Sequence, residues 1–123
     1  MSQVRAIRGA ITAPINSSEE ILAATTEMLE ELTKQNSLEL DDIISAFFTT
    51  TQDLNAVFPP VAARKMGWVD VALMCAHEMQ VPGALGKCIR VMVHVNTDKS
   101  SADIVNVYLR GAVNLRKPGF EDD

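Results

Sequence analysis

The charged side chains best placed for chemistry lie in one stretch, Cys75 to Val95, which reads C-A-H-E-M-Q-V-P-G-A-L-G-K-C-I-R-V-M-V-H-V. Arg90 stands in the middle of an apolar run that is typical of a β-strand, and Glu78 closes another apolar run just before a Pro-Gly break. An unpaired buried charge is very unfavourable, so each of these charges must face solvent or have a partner. Two opposite charges at the ends of two adjacent strands could therefore line one pocket.

Other residue types that often act in catalysis do not form a recognised catalytic motif in this sequence. The sequence contains no G-x-S-x-G, no Gly-rich phosphate loop and no H-E-x-x-H motif. His77 and His94 lack a carboxylate at ligand spacing, and the favoured interpretation of each is an ordinary surface or core histidine. Cys75 is best interpreted as a buried strand cysteine, and a thiolate beside His77 is the less favoured alternative. The two cysteines suggest neither a disulfide framework nor a zinc site, so we expect no metal and no cofactor.

Composition limits the class of partner. The net charge of −5 argues against a general binder of nucleic acid or of a membrane surface. No apolar run is long enough to span a bilayer, which favours a soluble, cytoplasmic protein. Single arginines nevertheless interrupt apolar segments, and such a distribution favours local binding of a small anion: Arg8, Arg64, Arg90, Arg110 and Arg116.

The elements that must position these residues follow from hydrophobic periodicity and from turn signals. A chain of 123 residues with 47% hydrophobic residues fits one domain, for which we take residues 1–123. Ser17 and Glu20 form a predicted capping box at the start of the longest helix. The predicted elements are a strand at Val4–Ala13, a helix at Ser18–Gln35, a helical turn at Leu40–Asp42, a strand at Ile43–Thr51, a short helix at Pro59–Met66, strands at Trp68–Cys75 and Lys87–Val95, a helical face shared by Ile104, Val107 and Tyr108, a last short strand at Ala112–Leu115, and a frayed tail over 118–123.

The roles of three residues stay open at this level. Phe58 precedes two prolines that stiffen its loop, and it is equally well interpreted as a lid over a small core or as one wall of a pocket. Arg5 and Arg8 face opposite sides of a strand, so one can be solvated while the other points inward. For either arginine, an edge-strand charge that blunts aggregation is the favoured interpretation.

The remaining candidates are arginines, one glutamate, one tyrosine and one cysteine, placed at the ends of elements or in apolar strands. Planar guanidinium groups pair well with carboxylates, so this set suits recognition of a small polyanion. It also suits a reaction that needs only positioning and charge stabilisation, with no base, nucleophile or cofactor.

Four blocks of sequence, in order, carry a resemblance to a known family. They are V-R-A-I-R-G-A-I-T near the start, D-L-N-A-V-F-P in the middle, C-I-R-V-M-V followed by N-T-D, and V-Y-L-R-G-A-V-N-L-R-K-P near the end. With these blocks the chain resembles the monofunctional AroH-class chorismate mutases from about Val4 to Pro118. The resemblance implies an α+β fold with a mixed five-stranded sheet packed against helices. It also implies a homotrimeric pseudo-α/β-barrel with active sites between subunits.

The resemblance further implies the reaction and the roles of the charges. The family converts chorismate to prephenate by a Claisen rearrangement, in phenylalanine and tyrosine biosynthesis. Arg90 would donate to the ether oxygen, where negative charge develops, and Glu78 would accept from the ring hydroxyl with assistance from Cys75. Substrate would then lie between Arg90 and Glu78, which makes them two sides of a site and not a salt bridge.

The resemblance assigns the other site residues to substrate binding. Arg8 binds a carboxylate with support from Tyr108, Phe58 and Arg64 come from the neighbouring subunit, and Leu115 with Arg116 belongs to a mobile C-terminal flap. Neighbours of Cys75 complete the predicted binding set: Met74, Ala76 and His77.

The chain departs from the family pattern at the rim of the site. Val61 stands where some relatives carry a lysine, Met74 stands where a threonine is found, and one residue is missing before Gly67-Trp68. The tail beyond Lys117 also differs. The alternative hypothesis is a non-catalytic trimeric regulatory protein that binds a small anion on the same scaffold. Retention of both Arg90 and Glu78 argues against that alternative.

Overall fold

The structure is a computed structural model that describes residues 2–115. These residues form a five-stranded sheet with two α-helices packed on one face. Three single turns of 3-10 helix, at Leu40–Asp42, Ser101–Asp103 and Arg110–Ala112, join the regular elements. In chain order the helices and strands are β1 (Gln3–Thr12), α1 (Ser18–Gln35), β2 (Ile43–Thr50), α2 (Pro60–Lys65), β3 (Ala72–His77), β4 (Cys88–Thr97) and β5 (Val107–Tyr108).

Helix α1 forms where the sequence predicts it, with the same first and last residues. Ser17 has an extended backbone, and its Oγ accepts from the backbone N of Glu20 at 3.1 Å, which satisfies one of the free N–H groups of the first turn. Apolar residues repeat at helical spacing and bury one face of the helix against the sheet. This face consists of Ile21, Ala24, Thr25, Met28, Leu29 and Leu32.

The strand order is β3-β2-β4-β1-β5. Strand β4 is antiparallel to β1 and to β2, whereas β3 runs parallel to β2 and β5 runs parallel to β1. This topology confirms the predicted mixed sheet and the α+β class. It also shows that β3 and β4, which we expected to be adjacent, are separated by β2.

The two faces of the sheet differ in what covers them. Alternate residues of β4 and β2, such as Val91, Val93 and Phe48, are buried beneath α1. The opposite face carries Arg90 and Thr49, which are half-buried, and a row of more exposed apolar side chains. Because side chains alternate along a strand, the residues between the core positions all point to this second face.

Two predictions are wrong, the start of β3 and the helical face from Ile104 to Tyr108. Strand β3 begins at Ala72 and not at Trp68, because Trp68 is buried beside the end of α2 and its backbone N donates to Ala63 O at 3.1 Å. Residues 104–108 do not form a helix, and Val107–Tyr108 instead pairs with β1.

The buried side chain of Asn36 explains the extended path before β5. Its Nδ2 donates to Val105 O at 2.8 Å, and its Oδ1 accepts from Val105 N at 2.9 Å. These two bonds occupy the backbone groups of Val105 that a helix would have used. The predicted strand at Ala112–Leu115 is also wrong, because a 3-10 turn at Arg110–Ala112 and a further turn occupy this segment.

Among the described residues, no helix is both long enough and apolar enough to cross a membrane. The predicted frayed tail at 118–123 lies outside the described residues.

Candidate active site

Arg90 and Glu78 form an ion pair. Nε of Arg90 lies 3.1 Å from Oε2 of Glu78, and the two side chains are only 16% and 19% exposed. Arg90 is near the start of β4, and Glu78 directly follows β3, where its backbone N donates to Thr50 O at 2.9 Å. The sequence-based expectation that these residues oppose each other without a salt bridge is therefore wrong for this structure. The separation is short because both charges are half-buried and each is the partner that the other requires.

Thr49 on β2 is a site residue that the sequence analysis missed. Its Oγ1 donates to Glu78 Oε2 at 2.6 Å, the same oxygen that faces Arg90. Thr49 is also the register partner of Arg90 across the β2–β4 pair. Three elements thus converge on one carboxylate. Along the predicted strand, the alternation of Phe47, Thr49 and Thr51 indicates that these three side chains share one face of the sheet. It does not indicate that Thr49 meets Glu78, because only the strand order shows that β2 lies between β3 and β4.

One row of residues crosses the whole sheet through Arg90. Thr49 is paired with Ala76 of β3 and with Arg90 of β4, while Ala10 of β1 is paired with Arg90 and with Tyr108 of β5. Ala10 is the small residue between the arginine and the tyrosine. Its methyl group leaves space above the sheet between two longer polar side chains.

That space is a cleft of about 380 Å³ with two arginines at its edge. Arg8 is the register partner of Met92 and lies one row from Arg90, on the same face of the sheet. The wall combines apolar surface with a few convergent polar groups, a composition typical of small-molecule sites. The cleft brings together three predicted residues, Arg8, Arg90 and Tyr108, with lining from Gly9, Ala10, Phe47, Thr49, Val91, Met92 and His94.

A second cavity of about 660 Å³ adjoins the Arg90–Glu78 pair on the side of the loop between β3 and β4. Asp53 anchors the end of this loop, because its carboxylate accepts from the backbone N of Lys87 at 2.9 and 3.1 Å. Lys87 has φ +48°. A Cβ on Gly86 would lie 2.9 Å from Asp53 Oδ2, so glycine permits the close approach. Asp53 therefore determines how the chain enters β4 just before Arg90.

Four of the other predicted binding residues line a third cavity, of about 520 Å³, near the β3 edge of the sheet. It contains Phe58, Cys75, Ala76 and His77, but none of the residues that line the Arg8–Arg90 cleft. Phe58 is 70% exposed. Arg64 lies exposed on α2, and Met74 of β3 is 65% exposed. Within one chain, the predicted site residues thus separate into two clusters.

The contacts and burial of the two histidines and the two cysteines indicate structural roles. Nε2 of His77 lies 3.2 Å from Leu54 O, and Nδ1 of His94 lies 3.2 Å from Ser45 Oγ. Cys75 lies on β3 but is only half-buried against the core, so its interpretation as a buried strand cysteine holds in part. Burial raises the pKa of the Cys88 thiol to about 11, so Cys88 is not a thiolate at neutral pH. Across residues 2–115, no group of three His, Cys, Asp or Glu side chains is placed to hold a metal ion.

Leu115 is buried in a small cluster beside the cleft. It packs with Ala10, Cys88 and Ala112, and Tyr108 lies against the same cluster. Arg110 holds the turn that leads to Leu115, since its guanidinium donates to Thr12 O at 3.2 Å and pairs with Glu27 at 2.8 Å. Arg116, the other predicted flap residue, lies outside the described residues.

Comparisons with known proteins agree on one family. The family model described as chorismate mutase type I matches residues 4–118. The chain is 43% identical to chorismate mutase AroH of Bacillus subtilis (strain 168) over 114 residues, which cover 92% of this chain and 90% of that protein. It is 42% identical over 114 residues to chorismate mutase AroH of Thermus thermophilus, with 92% and 93% covered. A solved chorismate mutase from Clostridium thermocellum superposes with a TM-score of 0.89 at 58% identity, covering 90% of this chain and 99% of that one.

Proposed function

We propose that this chain, which belongs to the chorismate mutase type I family, rearranges chorismate with Arg90 and Glu78 as its two catalytic side chains. The activity is that of a chorismate mutase, an isomerase of aromatic amino acid biosynthesis. The observation that carries the assignment of residues is the half-buried Arg90–Glu78 pair at 3.1 Å, beside a cleft that also contains Arg8 and Tyr108.

Arg90 is assigned to the ether oxygen of chorismate. As the ether bond stretches, negative charge builds on that oxygen, and a fixed guanidinium interacts with it more strongly in the transition state than in the ground state. Only such a differential interaction raises the rate of the chemical step. The rigid sheet supports this role, since Arg90 lies between Thr49 and Ala10 in a part of the sheet where the register is continuous on both sides.

Glu78 is assigned to the ring hydroxyl of the substrate. One carboxylate oxygen, Oε2, already interacts with Thr49 and with Arg90. A carboxylate has several lone pairs, so Glu78 can accept a further hydrogen bond from a hydroxyl. In this proposal Arg90 exchanges part of its contact with Glu78 for contact with the ether oxygen when the substrate binds.

Arg8 and Tyr108 are assigned to a substrate carboxylate. Arg8 presents a planar set of donors that suits bidentate pairing, and Tyr108 supplies a hydroxyl on the far side of Ala10. Together with Arg90 they would hold a dianion in one compact conformer above the sheet. Loss of conformational freedom on binding then contributes to the rate without any proton transfer.

The proposed assembly is a homotrimer whose sites lie between subunits. Phe58 with its neighbours and Arg8 with Arg90 line separate clefts, so one copy of the chain does not bring the two clusters together. The uncovered face of the sheet also carries a contiguous apolar row of Met74, Phe47 and Met92, which are 65%, 41% and 39% exposed. An exposed apolar patch of this kind is typical of a protein–protein interface. Burying it in a central pseudo-barrel would place Phe58 and Arg64 of one subunit beside Arg90 of the next.

A direct assay tests the activity. Purified protein is added to chorismate without any cofactor, and the loss of chorismate absorbance is followed against an Arg90→Ala control. We expect rapid turnover by the unmodified protein and a far lower rate for the variant. An unchanged trace at high protein concentration would contradict the activity, and equal rates for both proteins would contradict the role of Arg90.

A further inference from the structure

Thr49 occupies a position that no other described hydroxyl shares. It belongs to β2, the strand between β3 and β4, and its register partners are Ala76 on one side and Arg90 on the other. Its Oγ1 lies 2.6 Å from Glu78 Oε2, and that oxygen lies 3.1 Å from Arg90 Nε. The hydroxyl therefore contacts the carboxylate at the point where the two proposed catalytic charges meet.

The geometry makes this hydrogen bond strong and its direction fixed. A hydroxyl that donates to a carboxylate forms a shorter and stronger bond than one between neutral groups. Threonine is β-branched, so its χ1 is restricted on a strand and the backbone of β2 sets the direction of the hydroxyl. A threonine hydroxyl has one proton, and here that proton is directed at Oε2, which leaves Oε1 of Glu78 without this donor.

We propose that Thr49 is a positioning residue that acts through Glu78. This inference rests on the proposed role of Glu78 in binding the ring hydroxyl of the substrate. Thr49 stabilises the carboxylate through Oε2, so that Oε1 faces the substrate. It also shares the negative charge that Arg90 balances, and it keeps Glu78 in place when Arg90 exchanges part of its contact with Glu78 for contact with the ether oxygen.

The hydroxyl of Thr49 thus lowers the free energy needed to separate Arg90 from Glu78. Without the hydroxyl, the carboxylate loses its hydrogen bond from Thr49 and depends more on its ion pair with Arg90, so separating the pair to admit the substrate becomes less favourable. With the hydroxyl, Glu78 retains a charge-assisted hydrogen bond throughout the reaction. The role differs from that of a catalytic residue, because Thr49 need not contact any reacting atom.

The test compares Thr49→Val with Thr49→Ser. Valine keeps the shape of the side chain and removes the hydroxyl, whereas serine keeps the hydroxyl. We expect Thr49→Val to lower kcat/KM roughly ten- to hundredfold, as for loss of a hydrogen bond to a charged group, and Thr49→Ser to restore most of the activity. Thr33→Val is the matched control, since Thr33 lies on α1 and its hydroxyl donates to Glu30 O, away from Glu78. Wild-type kinetics for Thr49→Val would overturn the proposal.

A double-mutant cycle separates positioning from a general structural role. In a Glu78→Ala background, adding Thr49→Val should cause little further loss of kcat/KM, because the group that Thr49 positions is gone. Equal losses in both backgrounds would show that Thr49 acts independently of Glu78 and would overturn the proposal. If Glu78→Ala itself keeps full activity, the proposed role of Glu78 fails, and the inference about Thr49 fails with it. If Glu78→Ala is impaired and Thr49→Val is not, only the inference fails.

Discussion

Arg90 Nε lies 3.1 Å from Glu78 Oε2 although strand β2 separates β4 from the strand that Glu78 follows. The contact is possible because Glu78 leaves the end of β3 and crosses above Thr49, the register partner of Arg90. Arg90 is thus carried by a central strand, whereas Glu78 is the first residue after the edge strand β3 and is tied to β2 by its backbone hydrogen bond to Thr50 O and by the hydroxyl of Thr49. Side chains carried by strands keep their geometry better than side chains on loops, which is what charge stabilisation in a transition state requires.

Replacing the charge of Arg90 should abolish most of the catalysis while the fold remains intact. With citrulline, a neutral isostere, we expect kcat to fall at least about 100- to 1,000-fold, the typical cost of losing one preorganised donor. Turnover of chorismate and circular dichroism of both proteins provide the measurement. Arg5→Gln is the matched control, because Arg5 lies on β1 and its Nε donates to Lys99 O at 3.3 Å. Near-normal turnover by the citrulline protein would refute the assigned role.

Mixed assemblies should reveal whether a site combines two subunits. Arg90→Ala and Arg64→Ala chains are each expected to be impaired, but co-expressed chains can form sites with an intact Arg90 from one subunit and an intact Arg64 from another. We expect the mixture to be more active than the two variants measured separately. Analytical ultracentrifugation would check that the assemblies are trimers. No gain on mixing would contradict a site that combines Arg64 of one subunit with Arg90 of another.

The anchor between Asp53 and the start of β4 should couple two substitutions that are far apart in sequence but in contact in the fold. Gly86→Ala introduces a Cβ that would lie 2.9 Å from Asp53 Oδ2, so the Asp53 carboxylate or the loop must shift, the contact with Lys87 N is disturbed, and kcat/KM should fall. In an Asp53→Ala background this clash is removed, so Gly86→Ala should have a much smaller additional effect. Amide hydrogen exchange at Lys87 and Cys88 would report on the anchor directly. Purely additive losses would contradict the coupling.

Cys88 should make the protein less stable at alkaline pH. Burial raises the pKa of this thiol from 9.0 to about 11, so above pH 9 the unfolded chain releases a proton that the folded chain retains. The free energy of unfolding therefore falls as the pH rises from 9 to 11, by roughly 2 kcal/mol from this group alone.

Denaturant unfolding of wild type and Cys88→Ala at several pH values provides the test. Alanine creates a small cavity and lowers stability at neutral pH, but it removes the titrating thiol. The variant should thus show a shallower decline between pH 9 and pH 11. Parallel declines would contradict the proposed effect of Cys88.

Local signals predicted much of the fold. The Ser17 cap and the apolar spacing determine α1, and alternation of apolar residues indicates β1, β2 and β4 to within two residues at each end. The segment before β5 could not be predicted in this way. Its extended form depends on the side chain of Asn36, which is distant in sequence and binds both backbone groups of Val105.

The candidate site could be predicted only in part, because it too depends on contacts between residues that are distant in sequence. The sequence motifs carry the family resemblance, and with it the roles expected for Arg8, Glu78, Arg90 and Tyr108. The cytoplasmic location, the trimer and the roles of individual site residues stay predictions.

The sequence by itself therefore determined the helix, most strands and the family, because caps, periodicity and motifs act over short distances. Only the tertiary structure decided that β2 lies between β3 and β4, that Thr49 meets Glu78, and that Arg90 and Glu78 form an ion pair. Strand order depends on which apolar faces can be buried together across the whole chain. A residue such as Thr49 acquires its position from that global choice, and no local pattern carries the information.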